Sequence, residues 1–346
     1  MKLKRYLVLL MLVIFTFGIV GCGGQNATDK NAGEQGKADI KGTTIKVIAT
    51  DQYDDLFAAF KADTGVTVEY LDMSSGEAIA RIKAEGGKPM ADVWFGGGAD
   101  AFIAAKDEGL LEAYISPEAE TIDPMYKDKD GYWTGWNLVI TGLLVNKDVM
   151  QEKGLATPTK WSDLAKPEYK DEVLMSNPAI SGTNYAIVNG LLQAKGEEEG
   201  WKLFKGIGQN APYFSKRGKE PSQKTIAGEV GIGITYIDGT IMKLVDEYPV
   251  EVVYPEDGIP WVPACMAIFS NNSNVEGSKA FVDWILSKKG QEFIRDANGS
   301  IMVRPDVAMP EVLKDVPSER YLKIDVSAFG EQRDQILAKW AEEIDK

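Results

Sequence analysis

Histidine is absent from all 346 residues. Without it there is no Ser-His-Asp or Cys-His nucleophile system and no zincin motif, and most catalytic zinc sites are excluded. Cysteine is scarce: Cys22 and Cys265 are the two in the chain. Cys265 lies in the apolar stretch Pro263-Ala264-Cys265-Met266-Ala267, the setting of a buried small hydrophobe. A structural disulfide would have to use Cys22 itself. Positive charge is also short, with 38 Lys and Arg against 52 Asp and Glu, a formal net charge of −14. That deficit argues against nucleic acid and anionic membrane surfaces as partners, but a local site can still hold a small anion. No Walker A sequence occurs, and no G-x-G-x-x-G follows a strand in a dinucleotide setting. The apolar run 6–15 is broken soon afterwards by Thr16 and Gly18. It falls short of the roughly 20 residues a spanning helix needs.

What is present at that end is a set of processing signals. Lys2, Lys4 and Arg5 precede the apolar run, and Ile19-Val20-Gly21-Cys22 follows it. A basic start, a short apolar stretch and a small residue before the cut mark a secretory signal. A Cys directly after the cut is the bacterial lipobox pattern. Residues 1–21 are therefore expected to be a lipoprotein signal peptide and Cys22 the lipidated mature N-terminus. Residues 22–42 are rich in Gly, Asn, Gln, Lys and Asp, with Ile40 the one large aliphatic residue. Such a composition buries too little apolar surface to offset ordering entropy, so a flexible tether is expected there. Loss of the three signal-peptide cations leaves 35 against 52 anions, a mature charge of −17. The expected location is outside the cytoplasmic membrane, at the cell surface or in a periplasm, with the lipid as the only membrane contact.

From Thr43 onward strands and helices alternate. Residues 44–49 (TIKVIA) are a β-branched run that fits a strand. Asp54 or Asp55 can cap a helix presenting Leu56, Phe57 and Phe60 on one side and stopping at Gly65. Residues 66–71 alternate with the period of a strand. This strand–helix–strand unit implies a parallel sheet with a crossover helix. A helix over 76–85, a strand over 92–95 and a helix over 99–108 continue the pattern. A second set comprises strands at 138–145, 230–235 and 250–254 and helices at 183–194 and 239–246. Helices at 278–294 and 334–344 close the chain. No internal repeat is visible, and the reading is α/β in two parts.

TIKVIATDQYDDLFAAFKADTGVTVEY, MADVWFGGGADAFIAAKDEGLL, SGTNYAIVNGLL, IAGEVGIGITY and VYPEDGIPWVPACMAIFSNN, in that order and spacing, resemble a known family. The chain looks like a type II extracellular solute-binding lipoprotein of an ABC importer, in the branch of ferric-ion, phosphonate and hexose-phosphate binding proteins. The resemblance covers about Thr43 to Arg304. It implies a two-lobed periplasmic-binding-protein-like fold, with the lobes joined by two crossing strands near 136–145 and 254–265 and a ligand cleft between them. Lobe 1 would comprise 43–138 and 262–297, and lobe 2 would comprise 139–261 and 298–346. It also implies an ABC permease as partner, a monomeric state, no cofactor and no catalysis.

Departures from the family pattern bear on the ligand. The iron binders place a His or Tyr after the first strand, a Glu after the D-V-[FW] strand and a Tyr-Tyr pair before a late helix. Here Tyr53 stands at the first place, Gly96-Gly97-Gly98 replaces the carboxylate, and Tyr236 is the one tyrosine of the third. No metal site is expected from that set. Ser181-Gly182-Thr183 matches the family's Ser-Gly anion element at a helix start. A helix N-terminus offers unpaired N–H groups and partial positive charge, and Gly permits close approach. The plain alternative is an N-cap. Gly96, Gly97 and Gly98 sit at a strand end, where open α/β sheets bind ligands and bare backbone can cradle an anion. The alternative there is a tight turn with Asp100 capping the next helix. No Lys or Arg lies within these motifs, so neutral donors are expected to hold the anion. Tyr53, Ser74, Ser75, Glu77, Trp136, Asn137, Tyr236 and Asp238 are candidates for the organic moiety. Trp261 is a further candidate for lining the cleft. Core packing for the tryptophans, and capping or solvation for Glu77 and Asp238, compete with those roles. The expected function is capture of a small phosphorylated or phosphonate organic solute, a hexose phosphate or an aminoalkylphosphonate. The alternatives are a binder of ferric iron or its chelate, polyamine or thiamine on the same fold and, more remotely, an extracytoplasmic enzyme.

Overall fold

The computed structural model describes residues 39–88 and 90–345. The expected signal peptide, Cys22 and the tether as far as residue 38 lie outside the described residues. The last tether positions are already part of the folded body. Ile40 packs against the core, and the Gly42 N–H donates to the Gly65 carbonyl at 2.9 Å.

Among the described residues, eleven strands join in one curled sheet. They are β1 (Thr44–Ala49), β2 (Thr67–Asp72), β3 (Val93–Gly98), β4 (Leu111–Glu112), β5 (Thr134–Asn146), β6 (Val173–Ser176), β7 (Phe214–Ser215), β8 (Ile232–Ile237), β9 (Val250–Val253), β10 (Trp261–Phe269) and β11 (Ile301–Met302). The main order is β2-β1-β3-β10-β5-β8-β6-β7, with β4 on β10 and both β9 and β11 on β5. β1 is parallel to β2 and β3, and β6 is parallel to β8 and β7. The right-handed crossover rule places helices over such parallel pairs. The Asp54–Thr64 helix is one of them: it buries Leu56, Phe57 and Phe60 and stops at Gly65, whose φ of 78° admits the left-handed cap.

The two parts of the sheet meet at β5. Residues 134–140 of β5 pair antiparallel with β10, and residues 140–145 pair with β8. β5 thus runs through both halves and starts four residues earlier than the apolar run alone suggests. Its burial is continuous apart from Val139, as for a strand covered on both faces. One core gathers Phe57, Phe60, Phe95, Phe281 and Trp136 around β1 and β3. The other gathers Trp94, Phe102, Tyr185, Trp261 and Trp340. Trp261 is a core residue whose indole N–H donates to the Leu322 carbonyl at 2.8 Å.

The helix expected over 278–294 is two helices, Val275–Leu286 and Lys288–Asn298. Ser287 between them has extended backbone, and its hydroxyl accepts the Gly290 N–H at 3.1 Å. A serine that can cap the following turn competes with helix continuation. None of the described helices is long and apolar enough to cross a membrane.

Candidate functional site

A cleft of about 290 Å³ opens where the parallel strands end. The β1 and β2 side supplies Thr50, Asp51, Tyr53, Asp72, Ser74 and Ser75, and β3 supplies Gly97 and Gly98. Its floor is Trp136, Asn137, Leu138 and Val139 of β5. The opposite wall carries Ser181, Gly182, Thr183, Arg217, Gly218, Lys219, Tyr236 and Asp238. Strand ends at a change of topological direction are where open α/β sheets hold ligands.

Most of the residues expected from sequence are brought together here, each held by local structure. Ser181 N-caps the Gly182–Lys195 helix, accepting the Asn184 N–H at 3.3 Å. The next hydroxyl, on Thr183, makes no hydrogen bond among the described residues and faces the same cleft. Trp136 stacks on Phe95, with centroids 4.7 Å apart, and Tyr53 meets both rings edge-on. Gln291 donates to the Trp136 carbonyl at 2.8 Å and so fixes the floor strand. Trp136 is 3% exposed and Asn137 8% exposed, yet Trp136 Nε1 and Asn137 Oδ1 have no protein partner. Buried polar atoms left unpaired are costly. Successive strand residues face opposite ways, so the Trp136 ring belongs to the core around Phe95 while both residues border the cleft floor. Burial raises the pKa of the Tyr53 and Tyr236 hydroxyls, with Asp51 adding to the first and Asp238 to the second. Both stay neutral donors and acceptors.

Three expected residues do not line the cleft: Trp261, which packs in the core, Glu77 and Gly96. Glu77 closes a capping box: its Oε2 accepts from the Ser74 N–H at 2.9 Å and hydroxyl at 2.8 Å. Its carboxylate is committed to the start of the Ser75–Ala84 helix, which is the capping alternative. Gly96 lies behind the cleft wall with φ of 90°, and a Cβ there would collide with Thr50 Oγ1. Its glycine serves backbone packing. Gly97 and Gly98 do reach the cleft, but they are closely packed. A Cβ on Gly97 would lie 2.8 Å from Ser75 Cβ, and one on Gly182 would lie 2.8 Å from the Gly98 nitrogen. The two glycine segments therefore touch backbone to backbone from opposite sides. The Gly76 N–H also donates to the Ile180 carbonyl at 3.1 Å along the same seam.

Asp100 does not cap the helix that follows β3. Gly98 holds the N-cap position, and Asp100 is 1% exposed and paired with Arg333 at 3.0 Å. Asp238 both lines the cleft and caps the Gly239–Glu247 helix, with one oxygen accepting from the Thr240 N–H, the Thr240 hydroxyl and the Ile241 N–H. Burial raises its pKa.

Reading by motif missed the cations. Arg217 and Lys219 line the wall beside Ser181, and Asp51 and Asp72 face them. Neutral donors were expected to supply most of the neutralisation of an anion, and the cleft holds these two cations besides. A signal was present, since Lys216-Arg217-Gly218-Lys219 is a basic cluster in an acidic chain.

A two-lobed α/β body with a polar cleft at its waist defines a solute-binding protein. Residues 88–325 match the family of bacterial extracellular solute-binding proteins, and the chain belongs to that family. Its fold is similar to that of the periplasmic binding protein AfuA from Actinobacillus pleuropneumoniae, solved with exogenous fructose-6-phosphate bound. The two are 26% identical with a TM-score of 0.82, over 88% of this chain and 99% of that one. The periplasmic binding protein P5PA is 27% identical with a TM-score of 0.81, over 87% of this chain and 99% of that one. Iron uptake protein A1 of Synechocystis is 26% identical over 70% of each chain. The fold is the two-lobed type II arrangement with the cleft between lobes. The chain is a substrate-binding protein of the ABC-importer type, with a small-molecule ligand and a membrane permease as partners.

Proposed function

We propose that this protein captures a small phosphorylated or phosphonate organic solute outside the membrane and delivers it to its permease. The observation that carries this reading is the wall at Ser181-Gly182-Thr183. There the N-terminus of a 14-residue helix, a free threonine hydroxyl and two cationic side chains border one cleft. The helix end and its hydroxyls suit phosphoryl oxygens. The Trp136 and Asn137 floor suits a hydroxylated organic part. That AfuA was solved with fructose-6-phosphate supports the same class. Binding does no chemistry on the solute; it stabilises the closed pair of lobes that a permease recognises. In this reading lobe 1 is 43–138 with 262–297 and lobe 2 is 139–261 with 298–346. The chain acts as a monomer held by lipid on Cys22 once residues 1–21 are removed.

A second reading has one observation in its favour. Asp51, Asp72 and Asp238 all line the cleft, a set that suits a polyamine or another cation. Thermal unfolding separates the two. The full chain in mild detergent, refolded to strip bound solute, is heated with hexose phosphates, aminoethylphosphonate, phosphate, thiamine, spermidine or ferric citrate. A solute at about 100 times its Kd adds about 2.7 kcal/mol of stability. The expected result is a shift with a phosphorylated sugar or a phosphonate and none with the dephosphorylated sugar. A shift with spermidine, thiamine or iron alone would replace this reading by the second.

A further inference from the structure

We propose that Lys219 and Arg217 select for an anionic ligand, and that Asp51 is an internal competitor that holds Lys219 across the cleft until a ligand anion displaces it. This rests on the phosphorylated-solute reading and extends it to how charge is sensed.

The backbone that carries the two cations is fixed. The Arg217 carbonyl accepts from the buried hydroxyls of Ser176 at 2.8 Å and Ser215 at 3.1 Å. The Lys219 carbonyl accepts from the Ser222 hydroxyl at 2.8 Å and the Gln223 N–H at 3.2 Å. Gly218 between them is seated against the helix start, since a Cβ there would lie 3.5 Å from Ser181 Oγ. The turn is thus anchored beside the proposed anion wall, while its two side chains extend into the cleft.

Those side chains are engaged, but weakly. Lys219 Nζ lies 2.9 Å from Asp51 Oδ1, with both side chains 40% exposed. The same Asp51 oxygen accepts the Gln52 N–H at 2.8 Å, so it stays in place whether or not Lys219 is present. Arg217 is looser: its nitrogens stand 3.5 Å from Asp72 and 3.6 Å from Glu77. Charge-assisted hydrogen bonds are shorter, and guanidinium–oxyanion pairs are commonly bidentate. Glu77 Oε2 is already used by Ser74. Half-exposed pairs of this kind contribute little to stability, so exchanging them costs little. A phosphoryl dianion offers more charge and more acceptor oxygens than Asp51, in a geometry that guanidinium matches. An uncharged solute offers Lys219 only neutral acceptors in return for Asp51, and a cationic one repels it. The pair therefore opens for anions and stays shut against other solutes.

The test is calorimetric binding of glucose 6-phosphate, fructose 6-phosphate, aminoethylphosphonate and inorganic phosphate to the full chain in detergent. The proteins are wild type, Lys219→Ala, Arg217→Ala, Asp51→Asn and the Asp51→Asn/Lys219→Ala double variant. For the best phosphorylated probe, loss of Lys219 should weaken binding by about 10- to 100-fold, the range expected for one hydrogen bond to charge. Asp51→Asn should tighten it by about 3- to 10-fold, and that gain should shrink to below about 2-fold in the double variant. A further variant, Lys219→Arg, keeps the charge and should retain most of the affinity. Three results would overturn the inference alone: Lys219→Ala and Arg217→Ala both within about 2-fold of wild type, weaker binding in Asp51→Asn, or the same gain with and without Lys219. Failure of every phosphorylated probe to bind wild type would overturn the reading of the cleft and this inference with it.

Discussion

The hydroxyls of Ser181 and Thr183 are two residues apart and do different work. Ser181 accepts the Asn184 N–H and closes the helix start, whereas Thr183 has no partner among the described residues. Thr183→Ala should therefore weaken binding of a phosphorylated ligand by about 1.5–3 kcal/mol, the value of a hydrogen bond to charge. The unfolding midpoint without ligand should stay where it is. Ser181→Ala should lose a similar amount of affinity and also about 1 kcal/mol of stability, because it removes a cap. Calorimetry and urea unfolding of the two variants check both statements. The same distinction separates the other expected residues. Trp136 and Asn137 were candidates because the family resemblance puts a crossing strand there, and both border the cleft with one buried, unpaired polar atom each. Glu77 and Gly96 sit at the right places in sequence but are consumed by a capping box and by Thr50.

At the scale of elements, the β3 end and the Gly182–Lys195 helix meet in a seam too close for a side chain on Gly98 or Gly182. A methyl on Gly182 would lie 2.8 Å from the Gly98 nitrogen and 2.9 Å from Ser75 Oγ. Gly182→Ala should hold the segments apart and weaken every ligand, charged or not, and small-angle scattering should show a larger radius of gyration at saturating ligand. A second junction ties three helices together. Asp63, near the end of the Asp54–Thr64 helix, accepts from Lys289 Nζ and Trp284 Nε1, each at 2.7 Å. These hydrogen bonds, from Lys289 first and Trp284 second, hold its carboxyl below the usual value of 3.8. A depressed carboxylate contributes stability above the unfolded pKa and loses it as pH falls through the folded one. Asp63→Asn should thus cost about 0.5–1.5 kcal/mol at pH 7, given the partial exposure of the pair. Urea midpoints of variant and wild type should converge as the pH is lowered below the carboxylate range. The Ser287 break, which splits the expected 278–294 helix, lies beside this junction.

For the whole molecule, the division into strand–helix units and the parallel β1–β2 pair with its crossover helix were determined by the sequence itself, whereas the antiparallel pairing of β10 and β5 was not. Apolar period, caps and glycine stops act between residues a few positions apart, so they can be read along the chain. The Ser181-Gly182-Thr183 helix start is local in the same way, but its place in a ligand site, like that of Trp136 and Asn137, came from the family resemblance. Only the tertiary structure decided which polar groups share the cleft. Asp51 and Lys219 are 168 positions apart, and no local pattern pairs them. Arg217 and Lys219 belong to no motif read from the sequence, and the turn after β7 places them on the wall beside Ser181. Asp100 reads as a cap until the Arg333–Glu343 helix delivers its guanidinium to it. Long-range pairing depends on how the sheet folds back through β5 and β10, because only there do distant turns reach one cleft. The elements are thus encoded locally, while the charge balance of the site is set by the sheet that brings its two walls together.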